Sequence, residues 1–209
     1  MPVVALISNK GGAGKTTLAM NLAAGLRHRG QDAVVIDADP QGSSTQWARV
    51  AAANAEAPVE VVPAGPDLAA VLNRLASRCE HVLIDCPPSI AAKESRAALT
   101  LSDLALVPVL PSPLDLWATT RIADAVALAG RDNPELEARL VVNQLEPRTT
   151  LSRVLAGVLD ELELTVLKAS VRRRAIYRNC MLEGRTVYGA GARGREAVAE
   201  MEQVLTEVF

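Results

Sequence analysis

The chain has 209 residues, of which 49% are hydrophobic and only 2% aromatic, so its core must be built from aliphatic side chains. That composition suits helices packed against a parallel sheet. A formal net charge of −2 argues against a protein that coats nucleic acid over its whole surface, and it confines any such contact to a local patch. The three cysteines form no C-x-x-C pair, which argues against a zinc or iron–sulfur site, and no run of 18 apolar residues predicts a membrane span.

The first predicted elements frame a glycine-rich loop. Apolar residues 3–7 predict a buried strand, and residues 18–26 predict a helix. A strand, a glycine-rich turn and a helix form the context of a phosphate-binding loop, in which backbone N–H groups face phosphate oxygens. A turn that binds no ligand is the alternative. The loop reads Ser8-Asn9-Lys10-Gly11-Gly12-Ala13-Gly14-Lys15-Thr16-Thr17.

Two carboxylates follow the second predicted strand, residues 33–36. Asp37 and Asp39 stand at its carboxyl end, where open α/β sheets bind ligands. Taken alone, this segment is better explained as a polar turn in which Asp39 caps the next helix. Beside a phosphate loop, a role in the same site is favoured.

A third acidic position ends another apolar strand. Residues 81–85 predict a strand that ends at Asp85. The elements predicted between the second strand and this one are a helix at 45–54, a strand at 59–62 and a helix at 67–76. Apolar residues that run into an aspartate match a Walker B strand, in which the carboxylate would hold a magnesium-bound water. The later predicted elements are a strand at 104–110, a helix at 118–129, a strand at 139–143 that ends at Asn143, a helix at 149–161 and a strand at 164–167.

Arginines are concentrated near the end of the chain, and Glu183 is the only acid among them. Since arginine is planar and always charged, such a cluster favours phosphate, and we predict DNA contacts at every member except Arg185. The alternative is a solvated face whose arginines pair with acids elsewhere. The last predicted helix, residues 196–208, is acidic and amphipathic, which indicates packing on the domain and not on anionic lipid. The seven arginines are Arg172, Arg173, Arg174, Arg178, Arg185, Arg193 and Arg195.

The phosphate loop departs from the pattern G-x-x-x-x-G-K-[ST]. Asn9 stands at the leading glycine position, and a second lysine, Lys10, precedes the paired glycines. This variant resembles the deviant Walker-type ATPases of the ParA/MinD family, whose signature is K-G-G-x-x-G-K-[ST]. The D-x-D-P-Q segment at Asp37 and the D-x-P-P segment at Asp85 match further family motifs in the family's order. The resemblance therefore covers nearly the whole chain.

The resemblance implies a P-loop NTPase fold, which is a doubly wound, mostly parallel α/β sheet of about seven or eight strands with helices on both faces. It also implies that residues 1–209 form a single ATPase domain. It implies ATP and Mg²⁺ as cofactors, with residues 10–17 on the nucleotide and Asn143 on adenine. Thr16, Asp37 and Asp85 would form the metal shell. Lys15 would bind the β- and γ-phosphates, Asp39 would orient the attacking water, and Lys10 would reach across a dimer interface to the partner's nucleotide.

The chain is most like short ParA-type partition ATPases. The implied function is that of an ATP-hydrolysing positioning protein, cytoplasmic and nucleoid-associated, whose ATP-dependent homodimer binds nucleoid DNA without sequence preference. A ParB-like or other adaptor would stimulate hydrolysis, and the cargo would be a plasmid, a chromosome or a protein assembly such as carboxysomes. One alternative is a MinD-like membrane-associated regulator, which needs a basic amphipathic tail that we do not find. Another is a metabolic ligase of the dethiobiotin-synthetase type, which does not need Lys10.

Overall fold

The structure, a computed structural model, describes residues 1–54, 59–146 and 164–209, apart from the side chains of residues 113–118. The strands are β1 (Val3–Leu6), β2 (Ala33–Asp37), β3 (Glu60–Pro63), β4 (His81–Asp85), β5 (Leu104–Val109), β6 (Glu137–Leu145) and β7 (Thr165–Arg172). The α-helices are α1 (Lys15–His28), α2 (Ser43–Ala53), α3 (Leu68–Leu75), α4 (Lys93–Leu101), α5 (Pro113–Ala129), α6 (Ala175–Leu182) and α7 (Arg195–Val208). A 3₁₀ segment, Val187–Gly194, joins the last two.

The seven described strands form one sheet in the order β3-β2-β4-β1-β5-β6-β7, and every pair is parallel. This confirms the predicted doubly wound α/β fold. From β1 the chain crosses β4 to reach β2, and from β4 it crosses back over β1 to reach β5. The direction of winding therefore reverses around β1, and open sheets of this kind bind ligands outside the carboxyl ends of the strands at that point.

Aliphatic cores cover both faces of the sheet. Successive strand residues alternate between them: Ala5 belongs to the core beneath α3, α4 and α5, whereas Val4 belongs to the core beneath α1, α2, α6 and α7. On α7, Met201 and Leu205 are fully buried. The last helix is thus packed on the domain, as its pattern predicted. No helix within the described ranges is long and apolar enough to cross a membrane.

Several predicted elements differ from the observed ones in their bounds, and the helices α4 and α6 were not predicted. Helix α5 begins at Pro113 and not at residue 118, because proline is favoured in the first helical turn. Strand β7 extends to Arg172, beyond the predicted end at residue 167, since Lys168 occupies an outward position while Ala169 and Val171 continue the buried face. Strand β6 is longer at both ends than predicted. The predicted helix at residues 149–161 lies outside the described residues.

Candidate nucleotide-binding site

Strand register brings the predicted phosphate loop and two of the predicted carboxylates to one edge of the sheet. Leu6 on β1 lies opposite Asp85 on β4, and Asp85 lies opposite Asp37 on β2. Because the strands are parallel, their carboxyl ends coincide, and the loop that leaves β1 passes directly beside both aspartates.

The loop between β1 and α1 has the backbone of an anion cradle. Gly12 and Gly14 have φ values of 79° and 94°, in the left-handed region that favours glycine. At Gly14 a Cβ atom would also collide with Nδ2 of Asn143. Helix α1 begins at Lys15 with no acid in its first turn, so its first N–H groups and the positive end of its dipole face the loop without a competing carboxylate.

Lys15 is held at the centre of this loop. Its Nζ donates to Oγ of Ser8 at 2.9 Å and lies 3.5 Å from the carbonyl oxygen of Lys10. The side chain is buried, which lowers the pKa of Lys15, whereas the charges of Asp85 and Asp39 raise it. Among the described residues the hydrogen-bond partners of this buried ammonium are neutral oxygens, so an anion at this position would stabilise it. Ser8 was not predicted as a site residue, and no motif marks it.

Asp85 accepts hydrogen bonds from two hydroxyl groups. Its Oδ2 accepts hydrogen bonds from Thr16 at 2.7 Å and from Ser44 at 2.6 Å. Its Oδ1 is buried and has no hydrogen-bond partner among the described residues. Burial raises the pKa of Asp85 to about 6, against the opposing effect of the two hydroxyl hydrogen bonds. Thr16 and Asp85, both predicted in the metal shell, thus lie together, and an unsatisfied carboxylate oxygen beside them fits a metal-bound water.

Asp37 and Asp39 have different surroundings. Asp37 is buried, and its Oδ2 accepts from the N–H of Thr45 in the first turn of α2 at 2.7 Å. Asp39 is partly exposed, and its Oδ1 accepts from the N–H of Gln41 at 2.9 Å. The α2 N-cap is Gly42, so the alternative in which Asp39 caps that helix is wrong. Asp39 instead lies at the open rim of the site.

The side-chain amides of two consecutive residues at the end of β6 bind the backbone of the phosphate loop. Nδ2 of Asn143 donates to the carbonyl of Ala13 at 2.7 Å, and Nε2 of Gln144 donates to the carbonyl of Gly12 at 2.9 Å. Gln144 has a φ of 55°, the only left-handed non-glycine residue among those described. Asn143 was predicted from its place at a strand end, but as an adenine ligand. Gln144 was missed, although the same signal applies to it.

A cavity of about 120 Å³ opens between the ends of β6 and β7, next to the start of α1. Gly14, Thr17 and Asn143 line one side of it. Arg172, Arg173, Arg174, Tyr177 and Arg178 line the other. The adenine contact of Asn143 stays a prediction.

Three of the predicted DNA-contacting arginines are paired with acids from other elements. Arg173 bonds Glu146 at 2.7 Å, and Nε of Arg172 lies 3.8 Å from Glu200. The side chain of Arg174 is only 23% exposed and bonds both Glu196 and Glu200. The alternative of pairing with distant acids therefore holds for these three. The DNA contact of Arg174 stays a prediction, although its guanidinium is engaged within the domain.

The other three predicted DNA contacts are differently placed. Arg178, Arg193 and Arg195 are exposed and make no ion pair within the part of the chain that the structure describes. Arg193 and Arg195 flank one groove between the 3₁₀ segment and α7. They remain candidates for DNA contact.

Comparison with known proteins adds an independent observation. The model of a family described as the CobQ/CobB/MinD/ParA nucleotide binding domain matches residues 4–187. The chain belongs to this family. Within the CobQ/CobB/MinD/ParA family, "Maintenance of carboxysome distribution protein A" of Halothiobacillus neapolitanus is 42% identical over 99% of this chain and 95% of its own length.

Two solved structures share the fold. Cobyrinic acid a,c-diamide synthase from Mycobacterium smegmatis, solved with bound ADP and magnesium, is 25% identical with a TM-score of 0.72 over 87% of this chain and 92% of its own. The cell division ATPase MinD of Pyrococcus furiosus is 22% identical with a TM-score of 0.76 over 97% of this chain and 98% of its own. Both likenesses concern the fold.

Proposed function

We propose that this chain is an ATP-hydrolysing positioning protein of the ParA type. Its ATP-dependent homodimer would bind nucleoid DNA without sequence preference and distribute a cargo with an adaptor that stimulates hydrolysis. The observation that carries the proposal is the phosphate loop with its second lysine, in a chain that aligns along nearly its whole length with a carboxysome distribution protein. That relative makes a protein assembly such as the carboxysome the favoured cargo over a plasmid or chromosome.

The residues at the edge of the sheet suit ATP and magnesium. Lys15 and the first N–H groups of α1 would hold the β- and γ-phosphates. Thr16 would ligate the metal, with Asp37 and Asp85 behind its water shell. Among the described residues no three His, Cys, Asp or Glu side chains form a metal cage, which agrees with a cation held largely by phosphates and water. When bound, magnesium would neutralise the charge that develops on the transferred phosphoryl group.

Asp39 and Lys10 would complete the reaction. Asp39 lies at the rim of the site and would accept a hydrogen bond from the attacking water, which orients it toward the γ-phosphate. Lys10, partly buried at the start of the loop, would act across the interface on the partner's nucleotide, so that hydrolysis requires the dimer.

Separating these two roles tests the proposal. Asp39→Ala should still bind ATP and form the dimer but lose hydrolysis by roughly 10²-fold or more, because only the orientation of the water is removed. Lys10→Ala should keep nucleotide binding yet fail to dimerise, and Lys15→Ala should lose nucleotide binding itself. Equilibrium binding, sedimentation and phosphate release measure the three properties. Normal turnover by Asp39→Ala, or an ATP-dependent dimer of Lys10→Ala, would refute the assigned role.

The neighbour named as a diamide synthase supports a second candidate, an ATP-dependent ligase. A ligase would hydrolyse ATP only when supplied with a small carboxylate and an amine donor, and it would have no need of the dimer. Turnover stimulated by small molecules and unaffected by Lys10→Ala would favour that candidate.

A further inference from the structure

A cleft of about 440 Å³ lies between α4 and α5, on the face of the sheet opposite α1. Its floor is apolar: Ile90 and Leu99 are buried, and Ala125 is partly buried. Leu128, at its edge, is 56% exposed. A single exposed leucine is ordinary, but one that extends the apolar floor of a cleft to the surface marks a place where another apolar surface can pack.

The two ends of the cleft carry residues of opposite charge. Helices α4 and α5 run the same way because each follows a strand of the parallel sheet, and the Asn133 side chain ties their ends by donating to the carbonyls of Leu99 and Ser102 at 3.2 and 2.8 Å. Arg121 therefore lies toward the edge that holds the phosphate loop, and Asp132 lies toward the opposite edge. From Arg121 the helix continues for about 12 Å to its end at Ala129, and Asp132 follows in the turn beyond it.

The charges at this cleft have no partners within the chain as described. Arg96 and Asp124 stand on opposite helices between the two ends, and all four charged residues are exposed. None of the four makes an ion pair with another described residue. Protein interfaces commonly have an apolar core surrounded by a polar rim. The apolar floor of the cleft and the charged residues around it have this arrangement.

The cleft is connected to the phosphate loop by one hydrogen bond. The N–H of Ile90 donates to Oδ1 of Asn9 at 3.1 Å, and the side chain of Ile90 lines the cleft. Asn9 immediately precedes Lys10 and occupies the position where the ordinary phosphate loop has glycine. Anything that displaces Ile90 therefore also acts on the loop that carries Lys10.

We infer that the α4–α5 cleft is the docking surface for an amphipathic helix of a partner protein. The helix has about three turns, an apolar stripe against Leu128 and Ile90, a carboxylate opposite Arg121 and a cationic side chain opposite Asp132. Its occupancy alters the nucleotide site through Ile90 and Asn9. Only this last effect rests on the proposed function, since binding itself does not require ATP hydrolysis.

Two synthetic peptides of about 14 residues test the docking. Both form a helix with one leucine stripe; the first has glutamates at one end and lysines at the other, and the second has lysines at both ends. Fluorescence anisotropy without nucleotide should show the first peptide bound about fivefold more tightly. Arg121→Glu should remove that preference, and Leu128→Ser should weaken both peptides. Arg74→Glu, the same charge change on the neighbouring α3, serves as the matched control and should behave as wild type.

Each contrary result has a defined meaning. Equal binding of both peptides to the wild-type protein, binding by neither, or the same loss in Arg74→Glu as in Arg121→Glu would overturn the docking surface. Loss of the ATP-dependent dimer in Leu128→Ser, followed by sedimentation, would assign the cleft to a second copy of the chain and likewise overturn it. A bound peptide that leaves the rate of ATP hydrolysis unchanged would refute the link through Asn9. Absence of hydrolysis under all conditions would instead refute the proposed function and leave the binding result intact.

Discussion

Asp85 is buried, which disfavours its charged form, although the proposed magnesium site needs that charge. Its carboxylate lies under the phosphate loop, where Thr16 and Ser44 both donate to one oxygen and the other oxygen has no described partner. Burial disfavours the charged form and raises the pKa from 3.8 to about 6. In the unfolded chain the same group ionises at the lower value, so ionisation of Asp85 in the folded protein costs stability.

This raised pKa predicts a specific dependence of stability on pH. The stabilising contribution of protonated Asp85 is fully present below pH 3.8 and is lost as pH rises through about 6, with a total change of about 3 kcal/mol. Asp85→Asn removes this charge, so the variant should gain stability relative to wild type between pH 5 and pH 8. Urea unfolding at both pH values measures the difference. A constant difference would show that the pKa is not raised. The same variant should lose magnesium-dependent turnover.

Gln144 shows backbone strain at the site. A left-handed φ costs a non-glycine residue about 1 kcal/mol, and here the side chain bonds the carbonyl of Gly12. Gln144→Gly should therefore leave the free energy of unfolding equal or higher, yet weaken nucleotide binding about three- to tenfold because the loop loses a hydrogen bond that presets it. Chemical unfolding and equilibrium nucleotide binding separate the two effects. Gln203→Ala, on the exposed side of α7, is the control, and a parallel loss of stability and affinity would mean that Gln144 is merely structural.

At the scale of elements, β7, α6 and α7 are joined through one buried carboxylate. Glu200 is 8% exposed and accepts hydrogen bonds from the guanidinium of Arg174, from the hydroxyl of Tyr177 and from the N–H of Arg172. The acid comes from α7, and the donors come from the end of β7 and the segment that follows it. The shape of the cavity beside the phosphate loop thus depends on a residue that does not line it.

Glu200→Gln tests this role. The amide keeps the shape of the side chain but leaves Arg174 without its buried counter-charge, so the free energy of unfolding should fall by about 2 kcal/mol, and nucleotide affinity should fall with it. Glu202→Gln on the same helix is the matched control. Its side chain is 34% exposed and bonds Arg29, so the cost should stay below about 1 kcal/mol. Equal losses in the two variants would contradict the anchoring role of Glu200.

At the scale of the whole molecule, the slightly acidic chain has three exposed arginines, Arg178, Arg193 and Arg195, on the side of the sheet covered by α6 and α7, and none of the three makes an ion pair with a described residue. An ATP-dependent dimer would align two such surfaces and double the phosphate contacts. Because each neutralised phosphate contributes about −0.9 to the slope of log affinity against log salt, binding to duplex DNA should be steeply salt-dependent and indifferent to sequence.

Replacing Arg193 or Arg195 with alanine should lower affinity for all duplex sequences alike and make the salt slope shallower, while basal hydrolysis stays nearly unchanged. Arg74→Ala, on the opposite face of the sheet, is the control. A filter-binding titration on random-sequence duplex, with anionic liposomes in parallel, measures both partners. Binding to liposomes without binding to DNA would support the MinD-like alternative, and an unchanged salt slope would remove these two arginines from the DNA surface.

The sequence by itself determined the features that depend on neighbouring residues. The phosphate loop, the aspartates at strand ends and the alternation of strands with helices are local patterns, and they were sufficient to predict the parallel α/β fold and most of the residues at its carboxyl edge. Even the resemblance to the ParA/MinD family rests on short motifs in a fixed order.

Only the tertiary structure decided which distant residues meet. Ser44 reaches Asp85 because β2 and β4 are paired in register, and Gln144 reaches Gly12 because β6 ends beside the loop from β1. Glu200 pairs with Arg174, 26 residues earlier, because α7 packs along β7. Such contacts depend on strand order, register and the face to which each crossover sends its helix. A local sequence pattern contains no information about strand order, register or the placement of helices. For this reason the arginines predicted to contact DNA looked like one surface in the sequence, whereas in the fold three of them pair with acids and three make no ion pair with a described residue.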